Sequence, residues 1–126
     1  MTTGRRAARR AALFVLYQWD VTGQPLASLY EGELDPYTRE LTEGVAAEAQ
    51  ELDATIGDAS RDWRPERLGA LERNILRIAV YELDREEVPL EVAIDEAVWL
   101  ARRYASEDAA KLVNGILGKV AKEAKR

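Results

Sequence analysis

The chain has 126 residues, 47% of them hydrophobic and 33% charged, with 23 acidic against 18 basic side chains and a net charge of −5. That length is enough for one domain, residues 1–126, to bury a core without disulfide or metal staples. Cysteine and histidine are both absent, which excludes disulfides, thiolate nucleophiles, thiolate- or imidazole-ligated zinc and every catalytic arrangement built on histidine.

The first element is an amphipathic helix opened by Arg5, Arg6, Arg9 and Arg10, so that residues 1–10 carry +4 with no acid among them. At 100° per residue, Ala8, Ala11, Ala12, Val15 and Trp19 fall within a sector of about 100° suited to close packing. Arg6, Arg10, Leu13 and Tyr17 gather within roughly 60° on the far side, flanked by Arg5 and Arg9. A compact basic face on an acidic protein has to be explained locally, since the molecule as a whole repels polyanions. Guanidinium forks hold phosphate oxygens and an aromatic ring lets an unpaired base stack, a combination suited to single-stranded RNA. The alternative is a solvated, frayed terminus.

Thr22-Gly23-Gln24-Pro25 ends this helix, and Pro25 is placed to open a short helix carrying Leu26, Leu29 and Tyr30. Asp35-Pro36 reads as N-cap and first position of a helix with Leu41, Val45, Ala49, Leu52 and Ile56 on one face, stopped by Gly57. Asp62-Trp63-Arg64-Pro65 starts the next, with Leu68, Leu71, Ile75, Ile78, Ala79 and Leu83 as its core stripe. Val88-Pro89 breaks that pattern, and Leu90 leads into a helix with Ile94, Ala97, Val98 and Ala101 inward. Ser106 caps the last helix, with Glu107 and Asp108 complementing its positive end and Leu112, Val113, Ile116, Leu117 and Val120 forming its apolar face. Gly115 sits inside this pattern, not after a strand, so it makes no nucleotide loop, and Asn114 beside it reads as buried structure.

No stretch alternates as a strand does, which predicts an all-α, compact bundle of antiparallel neighbours. No apolar run approaches the ~20 residues that span a bilayer, and the expected setting is soluble and cytoplasmic. The carboxylate neighbours Glu86-Glu87, Asp95-Glu96 and Glu107-Asp108 diverge by about 100° on a helix and do not form acid/base pairs. The chain therefore reads as no enzyme. The C-terminal residues 119–126 add a second basic cluster, Lys119, Lys122, Lys125 and Arg126 against Glu123.

Four strings, RRAALFVLYQWD (9–20), LERNILRIAVYEL (71–83), VPLEVAIDEAVWLARRY (88–104) and LVNGILGKV (112–120), resemble in order and separation the NusB transcription antitermination family. The resemblance covers essentially the whole chain and implies about seven helices in two packed helical subdomains, without cofactor or catalytic step. It further implies pairing with NusE, a small-subunit ribosomal protein, and binding of box A RNA on nascent ribosomal RNA transcripts within the RNA polymerase antitermination complex. Arg5, Arg6, Arg9 and Arg10 match the family's phosphate-contacting positions, and Asp108, Lys111 and Leu112 its base-directed ones. Tyr17 and Glu72 match positions facing NusE, whereas Arg77 and Glu96 read more simply as helix-to-helix ion pairs or surface charges and Trp19 as core. Some members carry an aromatic residue where this chain has Leu112, which cannot stack a base.

Two other readings stay open at this point. One is a protein-only helical adaptor whose arginines meet an acidic partner. The other is the RNA-binding module of a ribosomal RNA methyltransferase, against which the chain leaves no room for a methyl-donor domain. The sequence also leaves open whether the free protein is a monomer or a homodimer that covers the arginine face.

Overall fold

The computed structural model describes residues 4–61 and 68–124. Among these the protein is all α-helical, with α1 (Arg5–Thr22), α2 (Leu26–Leu29), α3 (Pro36–Ala47), α4 (Ala49–Ala59), α5 (Ala70–Arg85), α6 (Leu90–Tyr104) and α7 (Glu107–Ala124). The Asp62 to Pro65 helix start lies outside the described residues, as do Lys125 and Arg126, but the helix expected to run on from it through Leu68 begins only at Ala70, with Gly69 at its N-cap.

Local chemistry sets most boundaries. Gly23 adopts the left-handed conformation at φ 74° and donates its backbone N–H to Trp19, closing α1 as glycine does where a side chain would be strained. Asp35 accepts a hydrogen bond from the Tyr37 backbone N–H at 2.8 Å, with Pro36 in the first turn. Ser106 likewise caps α7, accepting from the Ala109 N–H at 2.9 Å. Pro25 stands at the N-cap of α2, one position before its expected place.

The single helix expected from Pro36 to Gly57 is two. The chain leaves helical geometry at Glu48 (φ −109°, ψ 15°) and α4 then runs past Gly57 to Ala59. The bend has a packing reason: α3 lies on α1 and α5, whereas α4 lies on α5 and α7, and one straight rod would not reach both sets of partners.

α5 is the central element. α1, α3, α4, α6 and α7 all pack on it, and one hydrophobic core runs continuously through them. This central position buries every residue from Asn74 to Leu83, so Leu76, Val80 and Tyr81 join the expected stripe. Leu68 packs on the core from just before the helix. Complete enclosure also brings Asn74, Arg77 and Glu82 inside, where each has polar partners. Arg77 reaches Asp53 on α4 at 2.7 Å and Asp20 on α1 at 3.2 Å, confirming it as a helix-to-helix ion pair.

Candidate nucleic-acid interface

The packing face of α1 is wider than its alanines suggested. Ala8, Ala12 and Val15 are buried and Trp19 packs against the core, as expected, but Leu13 and Leu16 are also fully buried. Leu13 therefore belongs to the core and not to the basic face, while Ala11 is exposed. With α3 and α5 both against α1, apolar residues on either side of the alanine sector are covered.

The four arginines separate into distinct environments. Arg9 is only 4% exposed. It donates to both carboxylate oxygens of buried Glu82 at 3.0 Å and lies 3.5 Å from Glu96. Burial opposes the Arg9 charge, and the hydrogen bonds and attraction of Glu82 outweigh it, leaving the guanidinium pKa above its ordinary value. The structure thus places Arg9 in an enclosed ion pair and not on an open face with the other three arginines. Tyr37 also donates its hydroxyl to Glu82, and burial, reinforced by that hydrogen bond, pushes the phenol pKa up and keeps it a neutral donor.

Arg6 is half exposed, donates bidentately to Glu96 at 3.0 and 2.7 Å, and stacks 4.1 Å from the Trp99 ring centroid. The hydrogen bond from Arg6, opposed by partial burial and assisted by the charges of Arg6 and Arg9, holds the Glu96 carboxyl below the usual range. Arg5 is exposed and lies 4.2 Å over the Tyr37 ring, so its charge is positioned without being neutralised. Arg10 is exposed and has no acidic partner among the described residues.

Two stretches therefore expose polar chemistry to solvent. On α1 they are Arg5 and Arg10. On α7 Asp108 and Lys111 are exposed, and Asn114, expected to be buried, is exposed as well. Asn114 follows Lys111 by three residues and so shares its face, adding an amide donor and acceptor that helical periodicity alone did not assign to the surface. Leu112 is partly buried and packs against the core.

Tyr17 is 41% exposed, with Phe14 at 41% and Val21 at 53% on the same side of α1. The expectation for Tyr17 as a surface group thus has a larger apolar setting, made of residues three and four apart. Arg73 pairs with Asp20 at 2.8 Å, bringing the start of α5, where partly exposed Glu72 adjoins Arg73, to the half of α1 that holds Tyr17. No group of acidic side chains suited to a metal ion occurs among the described residues, and none of their helices is long and apolar enough to cross a membrane.

Comparison with known proteins agrees with this architecture. A model of the NusB family matches residues 6–122. The transcription antitermination protein NusB of Rubrobacter xylanophilus is 44% identical over 120 residues, covering 90% of this chain and 86% of that protein. A T. maritima NusB structure superposes with a TM-score of 0.83 at 34% identity, covering 98% of this chain and 94% of that one. The crystal structure of antitermination factors NusB and NusE in complex with double-stranded RNA gives 0.82 at 30% identity, covering 94% and 96%. With the match extending through every helix from α1 to α7, the chain belongs to the NusB family.

Proposed function

We infer that this chain is a transcription antitermination factor that binds box A RNA of nascent ribosomal RNA transcripts together with NusE, within the RNA polymerase antitermination complex. The observation that carries this reading is the likeness, over nearly the whole chain, to NusB in its complex with NusE and double-stranded RNA. Mechanism follows from surface chemistry. Arg5 and Arg10 supply phosphate contacts that position the strand, Arg6 joins them when phosphate competes with Glu96, and Asp108, Lys111 and Asn114 present hydrogen-bonding groups to base edges. Leu112, half covered by the core, supports this edge by packing. Tyr17, with Phe14 and Val21, forms the apolar centre of the NusE surface, and Glu72 lies at its rim. Arg9 acts on the RNA face by fixing α1 against α5. The task is binding, with no catalytic step, and its setting is the cytoplasm.

The test is a titration of labelled box A RNA, with and without NusE, at two salt concentrations. Sequence-dependent binding strengthened by NusE is expected. Removing the two phosphate contacts of Arg5 and Arg10 by alanine substitution should reduce the slope of log affinity against log salt by about 1.4, at ~0.7 per phosphate on single strands. Absence of RNA binding under both conditions would instead leave a protein-only adaptor.

A further inference from the structure

We propose that the cleft lined by Trp99, Arg102 and Arg103 is a nucleotide subsite that joins the two separated parts of the RNA-binding surface, holding one phosphate and one base of the bound strand. The proposal rests on the RNA-binding reading above and adds residues outside the positions already assigned to it.

The cleft has a volume of about 260 Å³ and is walled by these three side chains of α6. That is just below the ~300–1,000 Å³ of pockets for drug-sized ligands, a scale suited to part of a flexible strand more than to an enclosed small molecule. Its position is set by contacts on both sides. Toward α1, Trp99 carries the Arg6 guanidinium 4.1 Å from its ring centroid, and Phe14 meets Tyr104 edge-on at 5.1 Å between centroids. Arg10 lies one helical turn from both Arg6 and Phe14, so the exposed α1 face leads to this cleft. Toward α7, Arg102 donates to Glu107 at 2.8 Å, in the same first turn as Asp108 and one turn before Lys111. A strand touching Arg10 and Lys111 would pass beside the Trp99 cleft.

The chemistry suits that strand. Arg103 is exposed, lies 5.6 Å from the Tyr104 ring centroid and has no acidic partner among the described residues. Its planar fork is available for phosphate oxygens. The Arg102 pair with Glu107 is exposed on both sides, at 54% and 58%, and a surface ion pair of this kind yields readily to a competing phosphate. Trp99 is half-buried, and its ring is oriented by the Arg6 stack and by the Tyr104 edge at 6.3 Å. Trp99 also packs against the core, and the Arg6 guanidinium lies over its ring, so a base stacks on this held indole as Arg6 turns to a phosphate. The same cleft compensates for the aliphatic Leu112, which offers no ring on α7.

Fluorescence anisotropy of a fluorescein-labelled single-stranded box A RNA, titrated with the full chain over a series of salt concentrations, tests this. Arg103→Ala is expected to weaken binding and reduce the salt slope by about 0.7. Trp99→Ala is expected to weaken it by about 5- to 150-fold, the loss of one stacked base. Circular dichroism checks that each variant folds; should Trp99→Ala unfold, the exposed Arg103→Ala decides. Unchanged affinity and slope for Arg103→Ala, in an assay where Arg10→Ala weakens binding, would overturn the subsite and leave the RNA-binding function standing. So would loss of NusE binding with RNA affinity intact, which would make the cleft a protein contact. If the unaltered chain binds no RNA with or without NusE, the functional reading falls and the subsite with it.

Discussion

Arg9 and Arg10 are adjacent, identical in chemistry, and held by the fold in opposite environments. Arg9 sits among Glu82, Tyr37 and Glu96, whereas Arg10 points to solvent. Removing the Arg9 guanidinium would strand the Glu82 carboxylate, which is 2% exposed. Loss of one member of a buried pair costs ~3–5 kcal/mol, because the remaining charge keeps its desolvation penalty. Arg9→Ala should therefore lower the stability measured by urea unfolding by about that amount, while Arg10→Ala should stay within about 0.5 kcal/mol of the unaltered chain. Equal unfolding midpoints for the two variants would contradict the assignment. The arginine cluster was legible in the sequence; its division was not, because Glu82 and Glu96 lie far along the chain and reach Arg9 only through the packing of α1 against α5 and α6.

At the level of elements, several caps and breakers are legible in single residues, though Gly57 does not stop α4. Asp35, Gly23, Ser106 and the Val88-Pro89 break all act within a few residues of where they stand. The bend at Glu48 is not legible in the sequence, since a stripe of three- and four-residue spacing continues through it and only the change of packing partners reveals it. Gly44, one turn before the bend, lies directly against α5. A Cβ there would lie 2.3 Å from a ring carbon of Tyr81, whose own ring is 5% exposed and stacked by Arg85 at 4.1 Å. Gly57 by contrast has nothing among the described residues within 4 Å of an added Cβ. Gly44→Ala should destabilise by ~1–3 kcal/mol as Tyr81 is displaced. Gly57→Ala should stabilise by up to about 1 kcal/mol, since alanine replaces glycine in open space within a helix. Thermal unfolding followed at 222 nm checks both; a stabilised Gly44→Ala would mean that Tyr81 moves aside freely.

At the scale of the whole molecule, electrostatics link the RNA face to stability. Glu96 joins α6 to Arg6 and Arg9 of α1, and its folded pKa lies below an unfolded value near 4.5. A depressed carboxyl pKa contributes stability that is complete above the unfolded value and disappears as pH falls through the folded one. Glu96→Gln should accordingly be less stable than the unaltered chain at neutral pH and converge with it in acid, below that window. Urea midpoints measured from neutral pH down to about 3 test this, and a constant gap at every pH would show that the Glu96 charge is not what matters.

Helical class, most helix ends, the family and a basic α1 are legible along the chain. Each of these depends on residues within a few positions of one another or on motifs in fixed order. Only the tertiary structure decided which polar side chains face inward, because a helix covered on several sides, as α5 is, encloses Arg77 and Glu82 irrespective of its apolar stripe. Packing alone separated buried Arg9 from exposed Arg10, turned Asn114 outward, and set Trp99, Arg102 and Arg103 beside the α1 arginines. Those placements follow from contacts between residues distant in the chain, and periodicity along one helix carries no record of what another helix covers.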